Sequence, residues 1–169
     1  MTSKSDISEI QIRTELKPGD IGSLVYLHGT LYAKEYGLDH TFEGYVAAAA
    51  GEFAKAYNSD KDYFGVAESG GRMLGVIAIV AVSQTAAQLR WFLVHPDARG
   101  AGLGRRLIAE ALQFCQDRKY ENVFLWTISE LEAAAHLYKS FGFQRTEEKT
   151  HKIWGAMRTE ERYDLRLGS

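Results

Sequence analysis

A glycine-rich loop, HPDARGAGLGRRL at residues 95–107, lies between a run of apolar residues and a predicted helix. The first turn of a helix has N–H groups without intrahelical partners and carries partial positive charge, so this position suits an anion. Gly102 and Gly104 would let a phosphate approach the backbone without meeting a Cβ atom, and three nearby arginines would add positive charge. The loop therefore predicts a phosphate-binding site.

The residues around Gly104 exclude two common phosphate motifs. A Walker loop requires Lys and then Ser or Thr after the last glycine, but two arginines follow Gly104. A Rossmann fingerprint counted from Gly100 requires a glycine at position 105, which is Arg105. The pattern R-x-x-G-x-G does fit, through Arg99, Gly102 and Gly104. On the loop alone, an ordinary strand-to-helix turn is an equally good interpretation.

Hydrophobic periodicity predicts the helices and strands around this loop. Asp20 is the expected N-cap of the first helix and Gly37 its expected end, and Ser-Gly-Gly at 69–71 predicts a hairpin turn. The predicted helices span 20–36, 42–57, 102–119 and 130–141. The predicted strands span 9–16, 62–68, 72–83, 87–94, 122–128, 143–149 and 162–167.

The order of these elements predicts the fold. The strand, helix and strand between 87 and 128 are expected to form a parallel, right-handed crossover. Residues 1–169 are expected to fold as one α/β (α+β) domain with helices on both faces of a single sheet.

The composition narrows the class of protein. The 169 residues are 46% hydrophobic, and 20 Lys and Arg against 22 Asp and Glu give a formal net charge of −2. Scattered charges indicate no nucleic-acid partner and no membrane surface, and no apolar run approaches the roughly 20 residues that span a membrane. One cysteine allows no intrachain disulfide, which fits a reducing compartment. We therefore expect a cytoplasmic protein.

Two segments resemble the GNAT acyltransferase superfamily. LRWFLVHPDARGAGLGRRLIAEAL is similar to its strand, pyrophosphate loop and helix, and LYKSFGF to the end of the following helix. A closer resemblance is to the acetyltransferase half of bacterial proteins that fuse a MarR-type regulator to a GNAT domain, through HGTLYAKEYG, FEGYV, LWT and a late WG. The regulator is expected to be absent, because residues 1–20 lead directly into the acyltransferase.

The resemblance implies a mixed, mostly antiparallel twisted sheet whose central strands, 88–94 and 122–128, splay apart to bind acetyl-CoA. The backbone of Leu93 and Val94 would pair with the pantetheine arm in the manner of an added strand. Backbone N–H groups of the loop would hold the pyrophosphate. The implied loop residues are Arg99, Gly100, Ala101, Gly102, Leu103, Gly104 and Arg105.

The helix after the second splayed strand is also implied to contact the cofactor, through Ala134 and Tyr138. Many members have an asparagine seven residues before this tyrosine, where this chain has Leu131. That polar contact would be missing or supplied by Ser129. Tyr138 stands where the superfamily places its thiolate-protonating tyrosine, although periodicity alone would favour a core residue.

Acetyl transfer to an amine requires a neutral nucleophile, a donor to the carbonyl oxygen and a proton for the thiolate. A lysine-like amine has a pKa of about 10.4, so freeing it at pH 7 costs about 4.6 kcal/mol, and a base is valuable. A thiol pKa of about 8.5 makes protonation of the thiolate favourable, so an acid there accelerates the reaction without being indispensable. The carbonyl donor is expected to be the backbone N–H of Val94 or a neighbour.

The candidate bases are Glu35 and Glu43. Glu35 shares the inward face of the first helix, whereas Glu43 opens the second helix, where an acidic residue can simply interact with the helix dipole. His28, Tyr32 and Tyr36 are expected to line the acceptor pocket or to pack as an aromatic stripe.

The other reactive residue types do not form a second site. The remaining histidines lack metal-ligand spacing, so no metal is predicted, and Cys115 is expected to be a buried small hydrophobe. Trp91 and Trp126 suit strand cores, with the edge of the acceptor channel as the alternative for Trp126. Trp154 is expected either on a loop near the site or at a dimer contact.

Together these observations predict an N-acetyltransferase that moves the acetyl group of acetyl-CoA directly to the amine of a small or amino-acid-like molecule. The alternatives are a non-catalytic acetyl-CoA sensor, a protein or peptide N-acetyltransferase, and an O- or hydroxamate-type acyltransferase. Members of the superfamily often dimerise, so a homodimer is an expected partner.

Overall fold

Seven strands form one mixed sheet in the computed structural model, which describes residues 9–168. Residues 1–8 and Ser169, which the predicted domain includes, lie outside the described residues. The strands are β1 (Gln11–Arg13), β2 (Tyr63–Ser69), β3 (Arg72–Ala81), β4 (Ala86–Val94), β5 (Asn122–Ile128), β6 (Gln144–Ile153) and β7 (Ala156–Arg166). Their order in the sheet is β1-β2-β3-β4-β5-β7-β6, and the pairing of β4 with β5 is parallel, as predicted.

The helices are α1 (Asp20–Tyr36), α2 (His40–Ala56), α3 (Leu103–Asp117) and α4 (Glu132–Ser140). One apolar core packs α1 and α2 against the sheet, and a second packs α3 and α4 against the opposite face. This arrangement confirms the predicted mixed fold with helices on both faces.

The ends of α1 confirm one prediction and correct another. Gly37 ends the helix in a left-handed conformation with φ 73°, a position that favours glycine. The prediction that Asp20 is the N-cap is wrong, because the cap is Gly19 at φ 93°. Asp20 is the first helical residue, and its carboxylate is turned back to accept hydrogen bonds from Arg13 at 2.9 Å and from the Lys17 backbone at 2.7 Å.

The strands β4 and β5 pair over three residues only, from Ala86 and Asn122 to Gln88 and Phe124. Beyond this point they separate, as the resemblance implied. A bulge on β4 lies opposite β3 between Val76 and Ala78, and it places Trp91 at φ 56°. An extra residue in one strand bends it and increases its twist, which helps to separate β4 from β5.

The last hairpin is longer than predicted. The strands β6 and β7 continue to a two-residue turn at Trp154 and Gly155, both with positive φ, of 55° and 99°. The edge strand β6 is exposed along most of its length, so it lacks the apolar alternation by which strands are recognised. Conversely, β1 is shorter than the predicted 9–16, because only three of its residues pair with β2.

Candidate active site

Two clefts open where β4 and β5 separate. The loop cleft lies between the end of β4, the glycine loop and α4, and the aromatic cleft lies between the splayed strands and helices α1 and α2. Tyr32, Phe92 and Leu131 line both clefts, so the two meet at these residues.

The loop cleft contains most of the residues predicted to bind the cofactor. Those that line it are Leu93, Val94, Arg99, Gly100, Gly102, Gly104, Arg105 and Ala134. The remaining loop predictions do not line it: Ala101 is exposed, and Leu103 is buried in the core beneath the loop. Ser129 is also outside this lining and donates its hydroxyl to Glu130 at 3.1 Å, while Leu131 presents an apolar side chain.

The three glycines of the loop serve two different purposes. Gly100 and Gly102 have φ of 87° and 79°, and a Cβ at either position would point into open space. Gly104 instead permits close packing, because a Cβ there would lie 3.2 Å from both Leu137 and Phe92. The first two glycines therefore shape a bare concave turn, and Gly104 lets α3 approach β4 and α4.

Arg99 connects this turn to α1. Its guanidinium forms two hydrogen bonds to the Glu35 carboxylate, at 2.9 and 2.8 Å, and its Nε donates to the Val94 carbonyl at 3.2 Å. Arg105 forms no such ion pair within the described chain, and its contacts are the Ser140 hydroxyl at 3.3 Å and the Phe141 ring. The loop cleft thus offers one anchored guanidinium and one that is available to an anion.

Aromatic side chains from several segments line the aromatic cleft. Tyr32 of α1 stacks on Phe42 of α2 with ring centroids 5.1 Å apart, and Trp154 packs edge-on against Phe42 at 5.0 Å. Trp91 of β4 and Trp126 of β5 line the same space. All three tryptophans of the chain therefore line this cleft, although the sequence favoured strand cores for two of them.

Arg158, which the sequence analysis did not single out, holds the Trp154 turn in place. Its guanidinium is buried, pairs with Glu130, and donates to the backbone carbonyls of Gly37 at 3.3 Å and Trp154 at 3.4 Å. The Asp39 backbone N–H also donates to the Trp154 carbonyl, at 3.1 Å. These bonds join the connection between α1 and α2 to the β6–β7 turn, and so fix one wall of the aromatic cleft.

One carboxylate lines the aromatic cleft within the described range, that of Glu160. Its Oε2 lies 2.6 Å from His151 Nε2 and 3.8 Å from Lys149 Nζ. No sequence pattern pointed to this residue, because Glu160 precedes the predicted strand 162–167. The strand β7 thus places a carboxyl group at the aromatic cleft.

His28 lies at the other side of this cleft and is buried. Its Nδ1 is 2.9 Å from the Leu24 carbonyl, which fixes Nδ1 as the hydrogen-bond donor of the neutral ring. Burial lowers the pKa of His28 to about 4, so the ring is uncharged at neutral pH.

Tyr138 lines the aromatic cleft near the junction of the two clefts. Its ring packs against Phe92, Phe143 and Tyr163 at centroid distances of 6.0, 5.9 and 6.2 Å. Burial raises the pKa of the phenol well above its ordinary value, so the hydroxyl keeps its proton at neutral pH. Tyr138 is therefore a core residue that borders the cleft, and its role as the acid stays a prediction.

The structure does not bring the two candidate bases together. Glu35 is held by Arg99, and Glu43 is exposed on α2 with its carboxylate against Gly29 of α1. Neither residue lines the loop cleft or the aromatic cleft. Their role as base stays a prediction.

Cys115 is fully buried in the core beneath α3, as expected, and burial raises the pKa of its thiol to about 12. In the part of the chain that the structure describes, no three His, Cys, Asp or Glu side chains are grouped to hold a metal ion. None of the helices between residues 9 and 168 has the length and apolar character needed to cross a membrane.

Comparison with known proteins agrees with this geometry. The Acetyltransferase (GNAT) family matches residues 29–143, which is more than half of the chain. An uncharacterised N-acetyltransferase of Schizosaccharomyces pombe is 32% identical over 122 residues, covering 71% of this chain and 74% of that protein. N-acetyltransferase family 8 member 2 of Rattus norvegicus is 35% identical over 100 residues, covering 56% of this chain and 44% of the relative, so this chain matches less than half of that protein.

Solved structures show the same fold. An acetyltransferase of Streptococcus agalactiae superposes with a TM-score of 0.77 at 22% identity, covering 94% of this chain and 98% of the other. Spermidine N-acetyltransferase of Vibrio cholerae, solved with CoA and spermine, superposes with a TM-score of 0.70 at 19% identity, covering 94% and 96%. The protein therefore belongs to the GNAT family of acetyltransferases.

Proposed function

We propose that this protein is an N-acetyltransferase that moves the acetyl group of acetyl-CoA directly to the amine of a small molecule. The observation that carries the proposal is the junction of the two clefts at Tyr32, Phe92 and Leu131, with Tyr138 beside it. A donor in the loop cleft and an amine in the aromatic cleft would meet at that junction. The aromatic side chains that line the cleft from several elements favour a small acceptor over a protein tail.

The loop cleft fits acetyl-CoA, which supplies an activated acetyl thioester. The open turn at Gly100 and Gly102 leaves room for a pyrophosphate against backbone N–H groups, and Arg105 is available to its charge. Past Gln88, the edge of β4 has no pairing with β5, so its backbone groups can pair with an extended pantetheine arm. The backbone N–H of Val94 or a neighbour would donate to the thioester carbonyl.

The aromatic cleft supplies the proton transfers. We assign Glu160, hydrogen-bonded to His151, to receive the proton that an entering ammonium must lose before its nitrogen can attack. As the C–N bond forms and the C–S bond breaks, the Tyr138 hydroxyl would donate its proton to the sulfur. The second proton that the nitrogen loses on becoming an amide would restore the phenol. His28 stays neutral and contributes shape and a fixed dipole rather than charge.

The test is thiol release from acetyl-CoA against a panel of primary amines, with the products identified by mass spectrometry. Tyr138→Phe should lower kcat about tenfold to a hundredfold and leave the Kd for acetyl-CoA nearly unchanged. Tyr163→Phe is the matched control, because its ring packs on Tyr138 but lines neither cleft, and its kcat should stay at the wild-type value. Tight acetyl-CoA binding without turnover on any amine would support the sensor alternative instead.

Three further expectations stay predictions: that the protein acts in the cytoplasm, that it forms a homodimer, and that it resembles MarR-fused acetyltransferases. Size-exclusion chromatography with light scattering tests the homodimer directly.

A further inference from the structure

Arg90 places a guanidinium without a carboxylate partner at the aromatic cleft. Its Nη2 donates to the Tyr45 hydroxyl at 3.1 Å, and its guanidinium carbon lies 4.9 Å from the Trp91 ring and 5.8 Å from the Tyr45 ring. Among the carboxylates of residues 9–168, none forms an ion pair with it. The charge is therefore oriented by its neighbours but left uncompensated.

The other arginines near the clefts differ in whether a carboxylate neutralises them. Arg99 is neutralised by Glu35, and the buried Arg158 by Glu130. Arg105 lines the loop cleft without a carboxylate partner in the described chain, at the place where an anionic pyrophosphate is proposed to bind. Arg90 likewise lines the aromatic cleft without a carboxylate partner in the described chain, which indicates that this cleft binds an anionic group as well.

The carboxylate of the aromatic cleft does not cancel this charge. Glu160 already has a cationic partner, because its Oε2 lies 3.8 Å from Lys149 Nζ. The uncompensated charge of the cleft is thus the positive one on Arg90, which disfavours a polycation as the acceptor. A planar guanidinium fixed by stacking matches a carboxylate through two parallel hydrogen bonds.

We propose that Arg90 binds a carboxylate on the acceptor, so that the acceptor is an amino acid or a derivative of one with an apolar side chain. This inference rests on the proposed acetyltransferase function. Phe42, Trp126 and Trp154 provide the apolar walls for the side chain. With the carboxylate on Arg90 and the side chain against these walls, the amine of the acceptor would face Glu160 and the junction of the clefts.

The experiment compares L-phenylalanine with phenethylamine, which lacks only the carboxylate. The wild-type protein should acetylate phenylalanine with kcat/KM about tenfold to a hundredfold higher than phenethylamine, and Arg90→Met should remove that preference. Arg90→Lys should retain part of the preference. Arg118→Met is the matched control, because Arg118 stacks on Phe114 and lines neither cleft.

Binding gives a second, independent measurement. Because all three tryptophans line the aromatic cleft, quenching of tryptophan fluorescence reports its occupancy. With CoA present, N-acetylphenylalanine should bind at least about tenfold more tightly than its amide, and Arg90→Met should abolish the difference. Equal binding of acid and amide, or loss of both in the variant, overturns the inference. Turnover of amines with no preference for a carboxylate overturns it as well while leaving the proposed function intact.

Discussion

The loop cleft and the aromatic cleft meet at three residues but offer a ligand different chemistry. The loop cleft presents backbone on a turn opened by glycines, with Arg105 beside it. The aromatic cleft presents side chains, and its polar groups include Glu160, Arg90 and His28, which come from three different elements. Contacts made by the backbone depend little on residue type, so they suit the part of a ligand that does not vary. Contacts made by side chains change when a residue is substituted, so such a site can come to bind a different ligand.

Under the proposed function, this contrast separates the two substrates by region. The loop cleft, which contains the glycine pattern R-x-x-G-x-G, would hold the donor. The aromatic cleft, whose lining contains no residue of that pattern, would hold the acceptor. Substitutions confined to one cleft test whether the two regions act separately or as one.

The largest effect is expected at the aromatic cleft, from Glu160→Gln. An amide cannot accept the proton of the entering ammonium, so kcat/KM at pH 7 should fall about a hundredfold while acetyl-CoA binding is unchanged. Steady-state kinetics at pH 7 and calorimetric titration with acetyl-CoA measure these two quantities. Glu148→Gln, on the exposed part of β6, should behave as wild type. If Glu160→Gln kept full activity and Glu35→Gln or Glu43→Gln lost it, the base would be Glu35 or Glu43, as the sequence predicted.

His28 should make the stability of the protein depend on pH. Its pKa is lowered to about 4 in the folded protein and is near 6.5 when unfolded, so the unfolded chain takes up a proton first as the pH falls. The stability that the neutral ring provides is complete above the unfolded pKa and is lost as the pH falls toward the folded pKa. Between pH 7 and pH 5 the wild type should lose about 2 kcal/mol more than His28→Gln. Urea unfolding at the two pH values measures this, and His136→Gln, on the exposed face of α4, should show the full wild-type loss.

The sequence predicted the loop cleft far better than the aromatic cleft, and the reason is physical. Most of the loop cleft comes from one continuous segment, from Leu93 to Arg105, in which glycine spacing and helix start are local properties. Trp154, Glu160 and Arg90 reach the aromatic cleft through strand register, a bulge and an exposed hairpin, which are not local. The helices were predicted well because their periodicity is strong, as the agreement of 20–36 with α1 shows.

Ligand affinity at a site made of backbone should depend on the backbone conformation more than on the type of side chain. Gly102→Ala tests this at the loop cleft. A side chain at φ 79° costs about 1 to 2 kcal/mol, so the turn should relax away from its shape and the Kd for acetyl-CoA should rise about tenfold. Gly22→Ala is the matched control, because Gly22 lies in α1 with ordinary φ and free space for a Cβ. Isothermal titration calorimetry gives the Kd, and fluorescence titration with N-acetylphenylalanine should show the aromatic cleft unchanged. A loss at both clefts would mean that the regions are coupled through their shared residues.

The smallest effect is expected from Glu35→Gln. This variant tests whether the ion pair between α1 and the glycine loop is only structural or takes part in the chemistry. The Glu35–Arg99 pair joins α1, which lines the aromatic cleft, to the loop, but the Arg99 side chain is 48% exposed, so solvent weakens the pair. Its loss should lower the free energy of unfolding by no more than about 1 kcal/mol and leave kcat within about twofold of wild type. Glu52→Gln, which removes an exposed pair with Lys55 on α2, should change neither quantity. If Glu35→Gln instead abolished turnover while acetyl-CoA still bound, Glu35 would act in the chemistry, and α1 would supply the base across the junction of the two clefts.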